Sequence, residues 1–135
     1  MKYFTLDEAN RTLPFVKRIV ADIVEEYRRW KDHVFHYELI AAGSQADKGE
    51  TEEQIALRVK VDESARKING YMEELSRVGC VFKGFEEGLV DFHARMHGRE
   101  VFLCWRLGEE SIEYWHEMDA GFGGRQAIQP EFVDG

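Results

Sequence analysis

The sequence predicts an α+β fold, a long antiparallel two-helix hairpin of coiled-coil type followed by a small antiparallel β-sheet. Two observations carry this. Apolar residues recur at 3,4 spacing from Leu6 to Ala41 and again from Leu57 to Val78, the rhythm of a helix facing another helix. After Gly79 the period changes to two, the rhythm of strands.

Helix 1 is marked by Leu6, Ala9, Leu13, Val16, Val20, Ile23, Tyr27, Trp30, Val34, Tyr37 and Ala41. Thr5 and Glu8 have the spacing of a capping box, each able to satisfy an orphan amide of the first turn. Pro14 lacks an amide donor, and because the heptad phase runs through it the expectation is a kink near Asn10 to Leu13 rather than a break. At 1.5 Å per residue this helix is roughly 50 Å long. Gly43 to Glu50 is polar and without period, so it reads as an exposed loop and the first target of a protease. Thr51 and Gln54 form a second capping box, and Gly79 is placed to stop helix 2. Ile55, Leu57, Val59 and Val61 also alternate as a strand would, but the cap and the long heptad favour helix.

Leu89 to Met96, the dipeptide His97-Gly98 and Arg99 to Leu107 read as a hairpin, with glycine available for positive φ in a two-residue turn. In that register Val90, Phe92 and Ala94 face Trp105, Leu103 and Val101, while Arg95 faces Glu100. An apolar face and an ion pair emerge together. The expected faces put Val90, Phe92, Val101, Leu103 and Trp105 against the helices and Asp91 and His93 on the other side. Ile112 to His116 is a third strand after a turn at Gly108, and Asp119 to Gln126 is too glycine-rich for regular structure.

The 135 residues make one domain: hairpin about 5–79, β-rich part about 80–128, tail about 129–135. With 18 basic and 26 acidic residues the net charge is −8, which argues against nucleic acid as a partner. No segment approaches the ~18 apolar residues of a membrane span, and no signal-peptide stretch opens the chain, so the expectation is a soluble cytoplasmic protein away from membranes. Cys80 and Cys104 lie outside any CxxC pair and read as buried free thiols.

Several segments together resemble a small prokaryotic family of unknown function: Phe4-Thr5-Leu6-Asp7-Glu8-Ala9-Asn10 with Leu13-Pro14; Gly88-Leu89-Val90-Asp91-Phe92; Leu103-Cys104-Trp105-Arg106-Leu107-Gly108-Glu109; Trp115-His116-Glu117; Asp119-Ala120-Gly121-Phe122; and Gly124-Arg125-Gln126. The resemblance implies no particular activity. Relatives look to have Pro where this chain has His93, so it implies no role for that histidine.

The densest polar cluster is Trp115 to Asp119, with Asp91 and His93 on one face of the hairpin and Cys104 opposite Asp91. His116, Glu117 and Asp119 are the candidate metal ligands, although the second histidine of H-E-x-x-H is missing. A divalent metal is a possible cofactor here, ranked below a turn in which His116 and Asp119 hydrogen-bond backbone. Gly123, Gly124 and Arg125, with Gly121, have the ingredients of an anion nest; the plainer reading pairs Arg125 with Asp119 or Glu117. Arg106 is expected to meet Asp91 or Glu109. His33 and His36 are helix neighbours with no third ligand. No GxSxG, P-loop or GxGxxG is present.

The function read from these residues is a non-enzymatic binding or assembly module, the alternative being a metal- or anion-dependent enzyme or ligand-binding protein built on the C-terminal polar cluster. Phe35, Leu39 and Ile40, with Ile55, Ala56 and Val59, lie off the seams at the tip of the hairpin, where the sheet cannot reach. A helix apolar nearly all round is buried by something, and the expected partner is a second copy, a homodimer.

Overall fold

A computed structural model describes residues 1–43, 49–129 and 132. The chain folds as helix α1 (Leu6–Gly43), helix α2 (Glu52–Val78) and strands β1 (Val81–Gly84), β2 (Leu89–Met96), β3 (Arg99–Arg106), β4 (Tyr114–Glu117) and β5 (Gln126–Ala127). The strands form one antiparallel meander in sequence order.

Both capping boxes form. The Thr5 amide donates to Glu8 Oε1 at 2.9 Å while the Glu8 amide donates to Thr5 Oγ1, and Thr51 and Gln54 repeat the exchange at the start of α2. Helix α1 runs as one helix through Pro14. Gly79 ends α2 in the left-handed conformation at φ 104°, and its amide reaches the carbonyls of Leu75 and Ser76. Most of the polar loop expected between the helices, residues 44–48, lies outside the described residues.

The β2–β3 register is the expected one, with Val90 opposite Trp105, Phe92 opposite Leu103 and Arg95 opposite Glu100. His97 and Gly98 both take positive φ, 53° and 75°, as the two-residue turn requires. Val90, Phe92, Val101, Leu103 and Trp105 are buried with Leu13, Val16, Val20 and Ile23 of α1 in one core. Polar ties fix the inner half of α1 to the sheet and its loops. The Phe4 amide donates to the His93 carbonyl, the Ile112 amide to Asn10 Oδ1, and Lys17 Nζ to the Glu110 carbonyl.

Three features depart from the sequence reading. β1 was not foreseen, because four residues are too few for alternation to register. The third strand begins two residues late, at Tyr114, because Ile112 is held by Asn10 and leaves the ladder. The glycine-rich stretch is partly regular: Phe122 to Gly124 make a 3-10 turn, and Gln126–Ala127 pair with β4 as β5.

A polar seam residue was also missed. Glu26 is buried in α1, accepting from Ser64 Oγ of α2 at 2.8 Å with Arg29 Nη1 at 3.3 Å. Beyond it no residue of α1 is buried. Among the described residues no helix is long and apolar enough to cross a membrane.

Candidate functional site

The centre of the sheet's outer face, turned away from the helices, is also closed to solvent. Strand alternation places Asp91 of β2, Phe102 and Cys104 of β3, and His116 of β4 on this face, and all four are buried. Asp91 stands directly opposite Cys104, and His116 opposite Phe102, one step diagonally from Cys104. The segment after β4 covers them: Arg125 stacks on Tyr114 and Phe122, its guanidinium 4.1 Å and 4.7 Å from the two ring centroids.

One ligand atom each from Asp91, Cys104 and His116 lies within 4.8 Å of the other two. His116 Nε2 is 3.1 Å from both carboxylate oxygens of Asp91, and its Nδ1 is 2.7 Å from the Glu117 carbonyl oxygen. A carbonyl oxygen only accepts, so Nδ1 carries a proton and Nε2 is the nitrogen turned toward the cluster. The three side chains form the floor of a cavity of about 240 Å³ walled by Leu89 and Phe122, with Lys83 at its edge. Lys83 Nζ is 3.7 Å from Asp91 Oδ2 and 4.9 Å from the Phe102 ring centroid.

Burial, and then the Asp91 charge, push the Cys104 thiol up to about 12 against the opposing pull of Arg125. An uncoordinated Cys104 is therefore a thiol, not a nucleophilic thiolate. Cys80, in the core on the other face, is raised by burial to about 11.

The expected ligand trio is rearranged. His116 belongs to the site, but the Glu117 side chain pairs with Arg99 at 3.0 Å and serves His116 only through its carbonyl, while Asp119 is exposed. Strand period explains this: Glu117 points to the opposite face from His116, and Asp119 lies past the strand end. Arg125 pairs with Glu109 at 2.7 Å, not with Asp119 or Glu117, and donates from the same Nη2 to the Cys104 carbonyl. Its Nε is buried without a hydrogen-bond partner.

Arg106 does not meet Asp91 or pair through its guanidinium with Glu109. It is exposed, 5.9 Å from the Phe122 ring centroid, and only its backbone amide reaches Glu109. The amides of Gly124 and Arg125 donate to the carbonyls of Gly121 and Phe122, so they close a turn and do not line an anion nest. Gly124 is needed for closeness, since a Cβ there would stand 2.5 Å from that of Ala120. Gly123 has open space around its Cα. His36 Nδ1 is satisfied within its own helix by the Asp32 carbonyl.

Over residues 2–128 the sequence matches the family described as an uncharacterized conserved protein, DUF2203. The chain belongs to DUF2203. No curated protein and no solved structure matches it. In this DUF2203 fold, four of the sequence segments that carried the resemblance converge: Asp91, Cys104 with Glu109, His116 and Arg125 each come from a different one.

Proposed function

We propose that this DUF2203 protein binds a divalent transition-metal ion, of the zinc class, through Asp91 Oδ, Cys104 Sγ and His116 Nε2. The observation that carries the reading is the orientation of His116. With Nδ1 committed to the Glu117 carbonyl, a neutral imidazole would aim its Nε2 lone pair at a carboxylate, acceptor against acceptor. A cation must lie between them, either a proton or a metal ion.

A shared proton would need no thiol, whereas an imidazole, a thiolate and a carboxylate converging on one point are the ligands that zinc-class ions prefer. The backbone carbonyl behind Nδ1 is the usual outer partner of a metal-bound histidine. Spacing agrees as well. With bonds of about 2.0–2.3 Å, ligand atoms around a tetrahedral ion stand roughly 3.3–3.6 Å apart; the nitrogen and oxygen are at 3.1 Å, and the full trio, within 4.8 Å, closes to that spacing by small side-chain shifts. Three protein ligands leave a fourth position toward the cavity.

The test is zinc titration of the purified full chain, followed by calorimetry and by metal analysis after gel filtration. One ion per chain is expected, with Cys104→Ser and His116→Gln each weakening binding at least tenfold while Glu117→Gln and Asp119→Asn leave it unchanged. No stoichiometric ion, or an ion that survives both substitutions, overturns the reading.

A separate observation favours a second, compatible activity, self-association through the outer half of the hairpin. Past Glu26 the seam residues Tyr27, Trp30, Val34 and Tyr37 of α1, with Leu57 and Val61 of α2, are only half-buried, and Phe35 and Leu39 are each 60% exposed. Two helices alone cannot close this seam, and a second copy laid against it makes a four-helix arrangement. Sedimentation of the full chain as a dimer that Phe35→Asp with Leu39→Asp converts to a folded monomer supports it; a 15.8 kDa monomer at micromolar concentration refutes it.

A further inference from the structure

We infer that the open position of the loaded site takes a small monocarboxylate, held by Lys83 at one end and by Leu89 and Phe122 at the other. This rests on the metal reading above. Charge is the first argument. A divalent ion is neutralised by the Asp91 carboxylate and the Cys104 thiolate, with His116 neutral, so the loaded floor carries no net charge. The nearby Arg125 is matched by Glu109 at 2.7 Å and Arg99 by Glu117 at 3.0 Å.

Lys83 is then left over. In the metal-free protein its ammonium is 3.7 Å from Asp91 Oδ2, and once that carboxylate is committed to a metal ion the lysine faces the cavity with an unbalanced positive charge. Arg106, opposite Leu89 and 5.9 Å from the Phe122 ring centroid, adds positive charge farther out, so the surroundings favour an anion, and the single ammonium at the cavity edge beside a vacant coordination position selects one carboxylate with an oxygen to give to the metal.

Shape is the second argument. A volume of about 240 Å³, shared with the ion, admits a molecule of a few heavy atoms. Its two apolar walls favour a ligand with an apolar tail. The single ammonium is a poor match for a phosphate, whose several oxygens call for several donors. Lys83 stands half-exposed at the cavity edge, whereas Leu89 is set in β2 and Phe122 lies against the Arg125 guanidinium.

The experiment uses the full chain loaded with cobalt(II), whose thiolate charge-transfer and ligand-field bands report on the site, titrated with acetate, butyrate and inorganic phosphate. The expected result is a saturable change in the ligand-field bands, tighter for butyrate than for acetate, with phosphate weakest. Lys83→Met should weaken butyrate about tenfold, and Phe122→Ala should abolish the preference for butyrate over acetate, both with cobalt affinity retained. Bands that form normally but do not respond to either carboxylate overturn the inference and leave the metal reading standing. Phosphate binding tighter than both carboxylates overturns the carboxylate class. Failure of the cobalt bands to form at all overturns the metal reading and this inference with it.

Discussion

The two faces of the sheet both bury side chains, the inner face along nearly its whole length and the outer face only at its centre, and they do so by different means. The inner face is apolar and meets an amphipathic helix; Val90, Phe92, Val101, Leu103 and Trp105 lie against α1 in a single core. The outer face buries Asp91, Cys104 and His116 under a short irregular segment held by Arg125 and Phe122. The first arrangement is what stability requires. The second removes polar groups from water, which costs free energy unless each finds a partner, and a cluster of buried titratable groups beside a cavity is a functional-site candidate on that ground.

That contrast can be broken most directly at the largest inner side chain. Trp105 is fully buried, and its Nε1 donates to the Glu109 carbonyl at 2.9 Å. Trp105→Ala should cost about 3–5 kcal/mol by urea unfolding, the usual cost of emptying an aromatic core position. A loss below about 1.5 kcal/mol would show that the inner face is not the stabilising one.

On the outer face the prediction concerns coupling. Asp91→Leu alone should destabilise the metal-free protein by about 3 kcal/mol, because it leaves His116 without its charged partner in a buried place. Adding His116→Leu should cost much less than a second independent loss, since an apolar pair of similar volume can replace a buried ion pair nearly neutrally. Additive losses in the double-mutant cycle would mean that the two residues are not a pair.

How much of this was legible in the sequence follows the same division. Inner-face residues announce themselves through period, and both helices, both capping boxes and the β2–β3 register were readable for that reason. Asp91 and Cys104 could be placed opposite one another from the same register. What period could not supply was the third member's partners. His116 joins them only because β4 pairs with β3 at an offset set by the loop from Leu107 to Glu113, and loop geometry has no period. Arg125 stands out in the sequence for its neighbouring glycines, yet its partner Glu109 lies sixteen residues away, beyond β4 and the 3-10 turn. Glu26 was hidden for a different reason, because a glutamate beside a heptad seam looks like a solvated neighbour until Ser64 is seen to meet it.

The two cysteines sharpen the comparison with a smaller effect. Cys80 is raised to about 11 and Cys104 to about 12, each above the ordinary thiol value of 9.0 and each first by burial. A folded-state value above the unfolded one means that the folded protein holds the proton more tightly. The stability so gained is complete below about 9 and is lost as pH rises toward 11 for Cys80 and 12 for Cys104. Urea midpoints of the metal-free protein at about pH 8 and about pH 10 should therefore fall with alkali, and replacement of either thiol by Ala should flatten the fall. The alkaline loss belongs to the burial of both faces. If Cys104→Ala alone removed all of it, the inner face would be contributing nothing.

The smallest expected effect is at His93, the position where the sequence resemblance implies proline. Proline within a sheet ordinarily removes a ladder hydrogen bond and is confined to positions whose amide faces an edge. His93 sits at such a position. Its carbonyl accepts the Phe4 amide at 2.7 Å, and in an antiparallel strand a residue's N–H and C=O point the same way, so its own amide also faces away from β3. β1 does not reach that far, since its pairing with β2 covers only Leu89 to Asp91. The imidazole lies 4.7 Å from the Phe102 ring centroid and 6.1 Å from that of Tyr3, contacts that a pyrrolidine ring partly keeps. His93→Pro should thus change stability by less than about 1 kcal/mol, the lost ring contacts being offset by a stiffer unfolded chain. It should also leave unchanged whatever zinc affinity titration finds for the proposed site at Asp91, two residues away on the same face. A loss above about 3 kcal/mol would mean that the His93 amide is part of a ladder after all, and that β2 pairs along its whole length on both sides.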